Sequence, residues 1–578
     1  FRLGLGSSCL DAGTNVAGVF DDLDGAPRPA DGDGDATARE DIGAYETQAP
    51  PADGALRCYF DTPTNSGFVP FNPVFTAAVG GTNTNSITYF WDFDGNGTTD
   101  ASSGSGTAGG AYASPDWYTV TLTVSNAAGQ TAVFTRTQYI QIPFDVAFVS
   151  PAGSHTPPYA TWATAANDIY SAVEQIGGTN NPTVYVTNGV YGITAPIVVN
   201  KGVTIRGVQG WTNTAVARLS ADTRVFTLSH AAVVLDGLTI SNGYVSSGYG
   251  AGINMAGGLV RNCNIVQNLN GYGQGGGVYM NGGLLLSSVV KGNQCLGNDN
   301  GGLYGRGAGV AAAGGAVVSN CAVINNTEGN LSYNDNSYGA GVYLSGSSRL
   351  LFSRIAGNIA MSHHRLSGAG VYISDSGSSA ENCLIVSNTC TPVSVSDQVN
   401  QGGAGVNMQG GLLRNCLVAG NSYVAAHPWR LGGGVRMDGG IMENCTVARN
   451  YNINTNGGVH RAGAAAITNC IIVYNSGLGE PNVTAHTNIA YSCAPALTSD
   501  NGNLSVDPAF LSPGQGSGPT FSNANFRLKT SSPCANAGWT APWMAMALDL
   551  DNTPRVKAGF VDIGAYETRP AGTVFLAR

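Results

Sequence analysis

A short unit that recurs eight times between about Leu235 and Asn475 constrains the fold of this chain more than any other feature. Each copy starts with a glycine-rich stretch, continues through a short alternating segment and a glycine turn, and closes on asparagine, as in "GAGVNMQGGLLRNCLVAGN". A unit of this length cannot bury its apolar face alone, so successive copies must stack on one another. The repeat therefore predicts an all-β solenoid in which each unit forms part of one coil.

Two columns of similar side chains emerge when the units are aligned. One holds mostly cysteine and the other, five residues later, holds asparagine; their clearest members are Cys383, Cys416, Cys445 and Cys470, and Asn388, Asn421, Asn450 and Asn475. Equivalent positions in parallel, in-register strands stack about 4.8 Å apart. We therefore expect a column of buried free thiols and a ladder of stacked asparagine amides. Disulfide formation or metal binding by the cysteine column is the alternative.

The segment before the repeats resembles the start of the right-handed parallel β-helix family. "YATWATAANDIYSAVEQIGG" places Trp162, Ala166, Ile169, Val173 and Ile176 at helical spacing before Gly177. "TVYVTNGVYGI" and "KGVTIRGV" follow it. The resemblance implies a right-handed parallel β-helix with an N-terminal capping helix near 162–176. A cap is physically required, because an open coil exposes both core and strand edge.

A different pattern lies between the N-terminal segment and the solenoid. "ITYFWDFDGNGTTD" and "WYTVTLTVSN" resemble a PKD-type module, which implies an immunoglobulin-like β-sandwich of the kind that serves as a spacer or adhesion unit in surface proteins. Two acidic loops offer hard oxygen ligands that suit Ca²⁺, and a solvated or purely structural turn is the alternative for each. Their candidate ligands are Asp92, Asp94, Asn96, Thr98 and Asp100, and Asp31, Asp33 and Asp35.

The two ends of the chain share a motif. Phe1–Gly13 aligns with Phe526–Gly538 without a gap, and "DIGAYET" occurs at Asp41–Thr47 and again at Asp562–Thr568. The C-terminal copy resembles the ending of bacterial surface β-helix proteins of a choice-of-anchor type. The repetition predicts one period of a longer object, which would be either a tandem-repeat polypeptide or a polymer of subunits that exchange ends. A duplicated ending with no role in assembly is the alternative.

These patterns predict four segments. They are an anchor-like segment (1–49), the PKD-like sandwich (50–143), the β-helix (144–494) and a C-terminal cap or anchor segment (495–578). Charged residues make up only 11% of the chain, and the net charge is −10. Nucleic acid is an unfavourable partner, because phosphate binding needs basic stripes. No apolar run reaches the ~20 residues of a membrane span.

The coils show no cluster that predicts catalysis. Glycoside hydrolysis needs paired carboxylates, and the acids here are scattered, so we expect no enzyme. The sequence instead predicts an extracellular structural subunit of a bacterial fibre or surface layer, binding copies of itself end to end. A glycan-binding adhesin is the second hypothesis and a polysaccharide lyase or hydrolase the third. The candidate glycan site is a basic, aromatic loop edge formed by His363, His364, Arg365, His427, Trp429, Arg430 and His460. Ordinary loop decoration is the alternative for these residues.

Overall fold

The chain folds into two compact units. Residues 1–147 and 175–182 form the first unit, and residues 148–174 and 183–578 form the second. The structure, a computed structural model, describes residues 9, 12–14, 39–46, 56–81, 83–177, 181–220, 222–297, 305–329, 336–362, 365–392, 401–424, 430–479 and 481–568.

The first unit contains two antiparallel sheets. One has the strand order β1-β2-β5 and the other β4-β3-β6-β7. The strands are β1 (Arg57–Asp61), β2 (Val74–Gly80), β3 (Thr88–Asp92), β4 (Ala101–Ser103), β5 (Thr107–Gly109), β6 (Trp117–Ser125) and β7 (Thr131–Gln141). In β6, alternate residues Val120, Leu122 and Val124 are fully buried, as the alternating sequence predicts. They share an apolar core with Phe60, Phe75 and Trp91 from the other strands.

The second unit is a parallel β-solenoid of the right-handed type. Its coils build five parallel sheets, here named A to E, and adjacent coils pair in register. Sheet A contains the strands Gly189–Ile193, Thr214–Arg218, Thr239–Ser241, Asn264–Val266, Val289–Lys291, Ala322–Ile324, Arg354–Ala356, Leu384–Val386, Leu417–Ala419, Thr446–Ala448 and Ile471–Val473. Sheet B contains Ile197–Val199, Phe226–Leu228, Ile253–Met255, Val278–Asn281, Val310–Ala313, Val342–Leu344, Val371–Ile373, Val406–Met408, Val435–Met437 and Val459–Arg461.

Three further sheets complete each coil. Sheet C contains Val146–Val149, Thr183–Val186, Thr204–Gly207, Val234–Asp236, Leu259–Arg261, Leu284–Leu286, Val317–Ser319, Arg349–Leu351, Ser379–Glu381, Leu412–Arg414, Ile441–Glu443, Ala466–Thr468 and Ile489–Ala490. Sheet D contains Tyr244–Val245, Leu269–Asn270, Gln294–Cys295, Thr327–Glu328, Ile359–Ser362, Thr389–Pro392, Ser422–Tyr423 and Tyr451–Asn452. Sheet E contains Gly248–Tyr249, Gly273–Gln274, Gly305–Arg306, Asn336–Tyr338, Arg365–Ser367, Gln401–Gly402 and Arg430–Leu431.

The corner between sheets C and A explains why asparagine so often precedes cysteine in the repeat. Asn415 and Asn444 adopt positive φ angles of 51° and 52°, immediately before Cys416 and Cys445. Asparagine tolerates this left-handed conformation better than most residues. The chain therefore turns at the asparagine and directs the following thiol into the interior, where both thiols are fully buried.

Helix α1 spans Ile169–Gln175 and is shorter than the helix expected near 162–176. The carboxylate of Asp168 accepts a hydrogen bond from the backbone N–H of Ser171 at 2.7 Å, which is the geometry of an N-cap. Ala166, only three residues before α1, pairs instead with Val149 in an isolated parallel bridge. The helix therefore begins at the cap rather than at Trp162. None of the helices in the described part of the chain is long and apolar enough to cross a membrane.

The C-terminal segment covers the outer face of sheet A at the last coils. It includes a hairpin (Phe510–Gln515 and Ser522–Leu528) and short 3-10 turns at Asp500–Gly502, Gly518–Thr520 and Pro542–Met546. Phe526 and Ile563 pack in one buried cluster with Leu417 and Ile471 of sheet A. The backbone N–H of Gly564 donates to the carbonyl of Asn469 at 2.8 Å. The second "DIGAYE" copy is thus bound to coils of its own chain.

The two copies of the shared motif have the same local hydrogen bonds. In the N-terminal copy, Ile42 N donates to Cys9 O (2.9 Å), Gly13 N to Glu40 O (2.6 Å) and Asp41 N to Glu46 Oε1 (3.0 Å). In the C-terminal copy, the corresponding bonds run from Ile563 N to Cys534 O (3.0 Å), from Gly538 N to Val561 O (2.9 Å) and from Asp562 N to Glu567 Oε1 (3.2 Å). Their surroundings differ, because Ile42 is 55% exposed whereas Ile563 is fully buried. The motif therefore keeps its local conformation whether or not this face is covered.

Candidate functional site

The outer face of sheet B carries a row of mainly tyrosine and polar side chains, interrupted at Ala311. In each strand the flanking residues point into the core, as Val371 and Ile373 do, so the central residue points outward. Register pairing aligns these central residues from coil to coil: Asn254, Tyr279, Ala311, Tyr343, Tyr372, Asn407, Arg436 and His460. From Tyr343 to His460, each coil thereby contributes one functional group along the solenoid axis.

Sheet E adds two tyrosines, Tyr249 and Tyr338, beside this row. Tyr249 contacts Tyr279 with ring centroids 4.4 Å apart, and Tyr338 contacts Tyr372 at 5.1 Å. The rings of Tyr343 and Tyr372 stack with centroids 5.5 Å apart and are nearly parallel, with 6° between their planes. Outward side chains of sheets B and E therefore touch one another. We name the row of sheet B from Tyr279 to His460 together with Tyr249, Arg306, Tyr338, Gln409 and Asp438 the tyrosine–arginine strip.

The C-terminal part of the strip is ionic and densely hydrogen-bonded. The guanidinium of Arg436 forms an ion pair with Asp438 at 2.8 Å. The exposed side chain of Gln409 donates to the other carboxylate oxygen of Asp438 at 2.8 Å and to the amide oxygen of Asn407 at 3.0 Å. Arg436 is 8% exposed and Asn407 is 1% exposed, so they form the floor of this part of the strip. The arrangement holds donors and acceptors in fixed directions.

His460 lies at the end of the strip beside this ion pair. Its Nδ1 lies 3.2 Å from the hydroxyl of Thr484. Burial lowers the pKa of His460, and the charge of Arg436 lowers it further, while Asp438 acts in the opposite direction. His460 is therefore neutral at pH 7, where one ring nitrogen donates and the other accepts a hydrogen bond. Burial, together with the neighbouring phenols Tyr338 and Tyr343, raises the pKa of Tyr372, which keeps its hydroxyl protonated.

His460 is the only residue of the predicted loop edge whose side-chain surroundings the described part of the chain includes. His363, His364, His427 and Trp429 lie outside the described residues. The backbones of Arg365 and Arg430 belong to sheet E, where they pair with Asn336 and Gln401 respectively. Of the described residues of the predicted edge, Arg365 and Arg430 thus lie in sheet E and His460 lies in sheet B.

The acidic loop of the first unit brings together three of its five predicted ligands. Carboxylate oxygens of Asp92, Asp94 and Asp100 lie within 4.8 Å of one another. The amide oxygen of Asn96 accepts from the Thr98 hydroxyl at 2.5 Å and from its N–H at 2.7 Å, and the amide nitrogen of Asn96 donates to Asp94 at 2.9 Å. The three carboxylates provide the hard oxygens that Ca²⁺ prefers. Asp31, Asp33 and Asp35 lie outside the described residues.

The two predicted columns lie in the solenoid interior and line no ligand site. Each asparagine amide donates to the amide oxygen of the next coil's asparagine at 2.9–3.2 Å, through Asn388, Asn421, Asn450, Asn475 and finally Asn482. In the cysteine column, the backbone N–H groups of Cys383, Cys416 and Cys445 each donate to the sulfur of the next cysteine at 3.4 Å. Cys470 donates in the same way to Ser492 at 3.0 Å.

Comparison with known proteins yields little. No protein-family model and no curated protein matches the chain. Among solved structures, the chain is similar to a pectin methylesterase from Aspergillus niger, with 13% sequence identity over 62% of this chain and 93% of that chain and a TM-score of 0.25.

The docking of the C-terminal segment corrects the predicted function. The C-terminal copy of the shared motif is occupied by its own solenoid, since the N–H of Ala565 donates to the hydroxyl of Thr446 at 3.0 Å. The prediction of a structural repeating subunit that assembles head to tail is therefore wrong, and the matching ends carry no functional conclusion.

Sequence reasoning missed most of the tyrosine–arginine strip. The members that belong to sheet B stand at one fixed place in the repeat, directly after the valine of the glycine-rich start: Tyr279, Tyr343, Tyr372, Asn407, Arg436 and His460. That alignment column contains tyrosine, amide and basic side chains where the flanking columns are aliphatic. The variability of this column between columns of apolar residues was the available sequence signal for an outward-facing row.

Proposed function

We propose that the solenoid binds a polysaccharide along the tyrosine–arginine strip. The observation that carries the proposal is the register of sheet B, which places one outward functional group on each successive coil from Tyr343 to His460. Coils repeat about every 4.8 Å, so the strip offers a linear series of contacts to a linear polymer. A chain of sugars is such a polymer, with ring faces and hydroxyl groups that recur along its length.

The chemistry of the strip suits a sugar chain. Tyrosine combines an apolar ring with a polar hydroxyl, so Tyr249, Tyr279 and Tyr372 can pack against the apolar faces of sugar rings. Gln409 and Asp438 lie at hydrogen-bonding distance from each other and present further donor and acceptor capacity at the surface. Ligand sites generally combine apolar walls with a few fixed polar groups, and the strip has both.

Binding to a panel of neutral and acidic polysaccharides, measured by affinity electrophoresis and calorimetry, tests this proposal. We expect Tyr249→Ala and His460→Ala each to weaken binding by about 10-fold, which corresponds to the loss of roughly 1.4 kcal/mol. Tyr170→Ala and His230→Ala are matched controls, because both side chains are exposed and lie away from the strip. Equal loss of binding in controls and strip variants would exclude the strip, and no binding to any member of the panel would exclude the function.

We propose that the strip binds without cleaving. Asp438 is the one carboxylate that we assign to the strip among the described residues, and it is paired with Arg436. Hydrolysis of a glycosidic bond needs two carboxylates that flank the bond. Incubation with the polysaccharide that binds best should therefore release no new reducing ends. Product release that Asp438→Asn abolishes would overturn this part of the proposal.

For the first unit we propose a PKD-type immunoglobulin-like sandwich. Two antiparallel sheets with one aromatic core support it: Phe60 contacts Trp91 at 5.3 Å and Phe75 at 5.9 Å between ring centroids. For the second unit we propose that α1 caps the first coil, since Ile169, Ala172 and Val173 are buried. The C-terminal segment is proposed to be of the choice-of-anchor type. Modules of these kinds favour a bacterial protein that acts outside the cell or on its surface.

We propose in addition that Asp92, Asp94 and Asp100 bind Ca²⁺. The loop is already ordered by its own carboxylates, because Asp92 accepts from Gly95 N–H at 2.7 Å and from Gly97 N–H at 2.9 Å. Calorimetric titration of chelator-treated protein should show one saturable Ca²⁺ site that Asp94→Asn removes and Asp116→Asn, an exposed aspartate of the same unit, retains. Absence of binding at millimolar Ca²⁺ would exclude the site.

A further inference from the structure

Cys493 and Cys534 stand apart from the cysteine column. The position after Cys470 in that column is Ser492, whose hydroxyl accepts the Cys470 N–H at 3.0 Å. Cys493 is the next residue, and it pairs with Ile471 in a parallel bridge. Ile471 belongs to the outward row of sheet A that the C-terminal segment covers. Cys493 therefore projects out of the solenoid towards that segment, whereas the column thiols project inward.

Cys534 approaches from the opposite side. It lies in the C-terminal segment, where its carbonyl accepts the Ile563 N–H at 3.0 Å and its N–H donates to the Ser532 hydroxyl at 3.0 Å. Both cysteines are fully buried and belong to one apolar cluster with Phe510 and Phe526. Two thiols from segments 41 positions apart in sequence (534 − 493) thus meet in a closed, apolar interface.

The electrostatics of the two thiols agree with direct contact. The hydrogen-bonding contact with Cys493 is the strongest influence that raises the pKa of Cys534, ahead of burial. In the column thiol of Cys416, by contrast, burial is the strongest influence that raises the pKa. The column geometry also explains why its thiols stay separate, since parallel neighbours keep Cβ atoms about 4.8 Å apart and a disulfide needs roughly 3.5–4.5 Å.

We propose that Cys493 and Cys534 form a disulfide bond that fastens the C-terminal segment to the last coil of the solenoid. The oxidant is a low-molecular-weight disulfide such as oxidised glutathione. The thiolate of one cysteine attacks it, forms a mixed disulfide and releases one glutathione thiol. The second cysteine thiolate then attacks the protein sulfur, the Cys493–Cys534 bond forms, and a second glutathione leaves. Two protein thiols are oxidised and one glutathione disulfide is reduced. The two protons that the protein thiols lose are taken up by the two glutathione thiolates.

Burial determines when this reaction takes place. Neither thiol is accessible once the segment is docked, and exchange requires an accessible thiolate. The bond must therefore form while the C-terminal segment is folding onto sheet A. This order makes the cross-link dependent on an oxidising compartment during folding.

The experiment uses the full chain, unfolded in guanidinium chloride with reductant and refolded in a buffer of reduced and oxidised glutathione. Free thiols are alkylated after denaturation, and the protein is digested without reduction and analysed by mass spectrometry. We expect one linked peptide pair that contains Cys493 and Cys534, two hydrogens lighter than its separate peptides. We expect alkylated thiols at Cys383, Cys416, Cys445 and Cys470.

Variants and a gel provide the controls. Cys493→Ser and Cys534→Ser should each lose the linked pair, whereas the matched column variant Cys445→Ser should retain it. After limited proteolysis between the two cysteines, the C-terminal fragment should remain attached on a non-reducing gel and separate on a reducing gel. Refolded wild-type protein of native circular dichroism in which both cysteines are alkylated, or in which either is linked to another cysteine, would overturn the proposal. This result does not depend on whether the variants fold.

Discussion

At the scale of single residues, the buried asparagines show how the solenoid satisfies polar groups without water. Asn421 is fully buried, and its amide nitrogen donates to Asn450 at 2.9 Å and to the carbonyl of Ile385 at 2.9 Å. Its amide oxygen accepts both the side-chain and the backbone N–H of Asn388, each at 2.9 Å. A buried polar group that loses its partner costs about 1–3 kcal/mol. The ladder therefore fixes coil spacing through bonds that no other side chain reproduces.

We predict that Asn421→Ala lowers the free energy of unfolding of the solenoid by about 3 kcal/mol or more. The substitution removes the acceptor for two N–H groups of Asn388 and leaves a cavity, and both effects destabilise. Urea unfolding monitored by far-ultraviolet circular dichroism measures the change. Asn281→Ala, at an exposed position of sheet B, is the control and should change stability by less than about 0.5 kcal/mol. A change at Asn421 as small as at Asn281 would contradict the ladder's role.

At the scale of structural elements, the C-terminal segment depends on one buried arginine. Arg555 is fully buried, pairs with Glu567 at 3.3 Å, and donates to the carbonyls of Asp562 and Gly564 at 3.3 Å and 2.8 Å. Burial lowers the pKa of Arg555, and Glu567 opposes that effect most strongly. The guanidinium thereby holds Arg555 against residues 562–567 and offsets the charge of the carboxylates around it.

We predict that Arg555→Met destabilises the docked C-terminal segment by about 3–5 kcal/mol, because removing one partner leaves buried carboxylates uncompensated. Hydrogen exchange should show faster exchange at the amides of Ile563 and Gly564, which bond to Cys534 and Asn469. Lys529→Met, in the same segment but exposed, is the matched control. If protection at Ile563 and Gly564 is unchanged in Arg555→Met, the arginine does not hold the segment in place.

At the scale of the whole molecule, the two units have separate cores of different character. The first is held by an aromatic cluster around Phe60 and Trp91, and the second by aliphatic columns that run from coil to coil, such as Val323, Ile355 and Ile385 in sheet A. Separate cores predict separate cooperative transitions, since each unit loses its own apolar burial when it unfolds.

We predict two transitions in differential scanning calorimetry of the full chain. Phe60→Leu should lower only the transition of the first unit, by several degrees, because a loss of about 1 kcal/mol shifts the midpoint of a domain this small by roughly 4–8 °C. Ile355→Val, which removes one methylene from the solenoid core, should shift only the other transition. A single transition that both substitutions shift equally would show that the units unfold together.

The sequence by itself determined the elements that depend on local periodicity. The repeat predicted parallel stacking, and the column spacing predicted which thiols and amides face inward, because identical neighbours in register leave few other arrangements. Alternation in "YTVTLTVSN" likewise predicted which face of a strand is buried. The length of α1 was wrong, since an isolated bridge at Ala166 replaced the first helical turns.

The tertiary structure alone decided what lies on the outer surface of the solenoid. Which residues share a face depends on how sheets B and E lie side by side, and Tyr338 of one coil meets Tyr372 of the next because the coils pair in register. The docking of the C-terminal segment on sheet A likewise brings Cys534 to Cys493 and removes the matching end from any free role. Such contacts join positions far apart in sequence, so no local pattern specifies them. Local periodicity fixed the coil, and long-range packing fixed the sites on it.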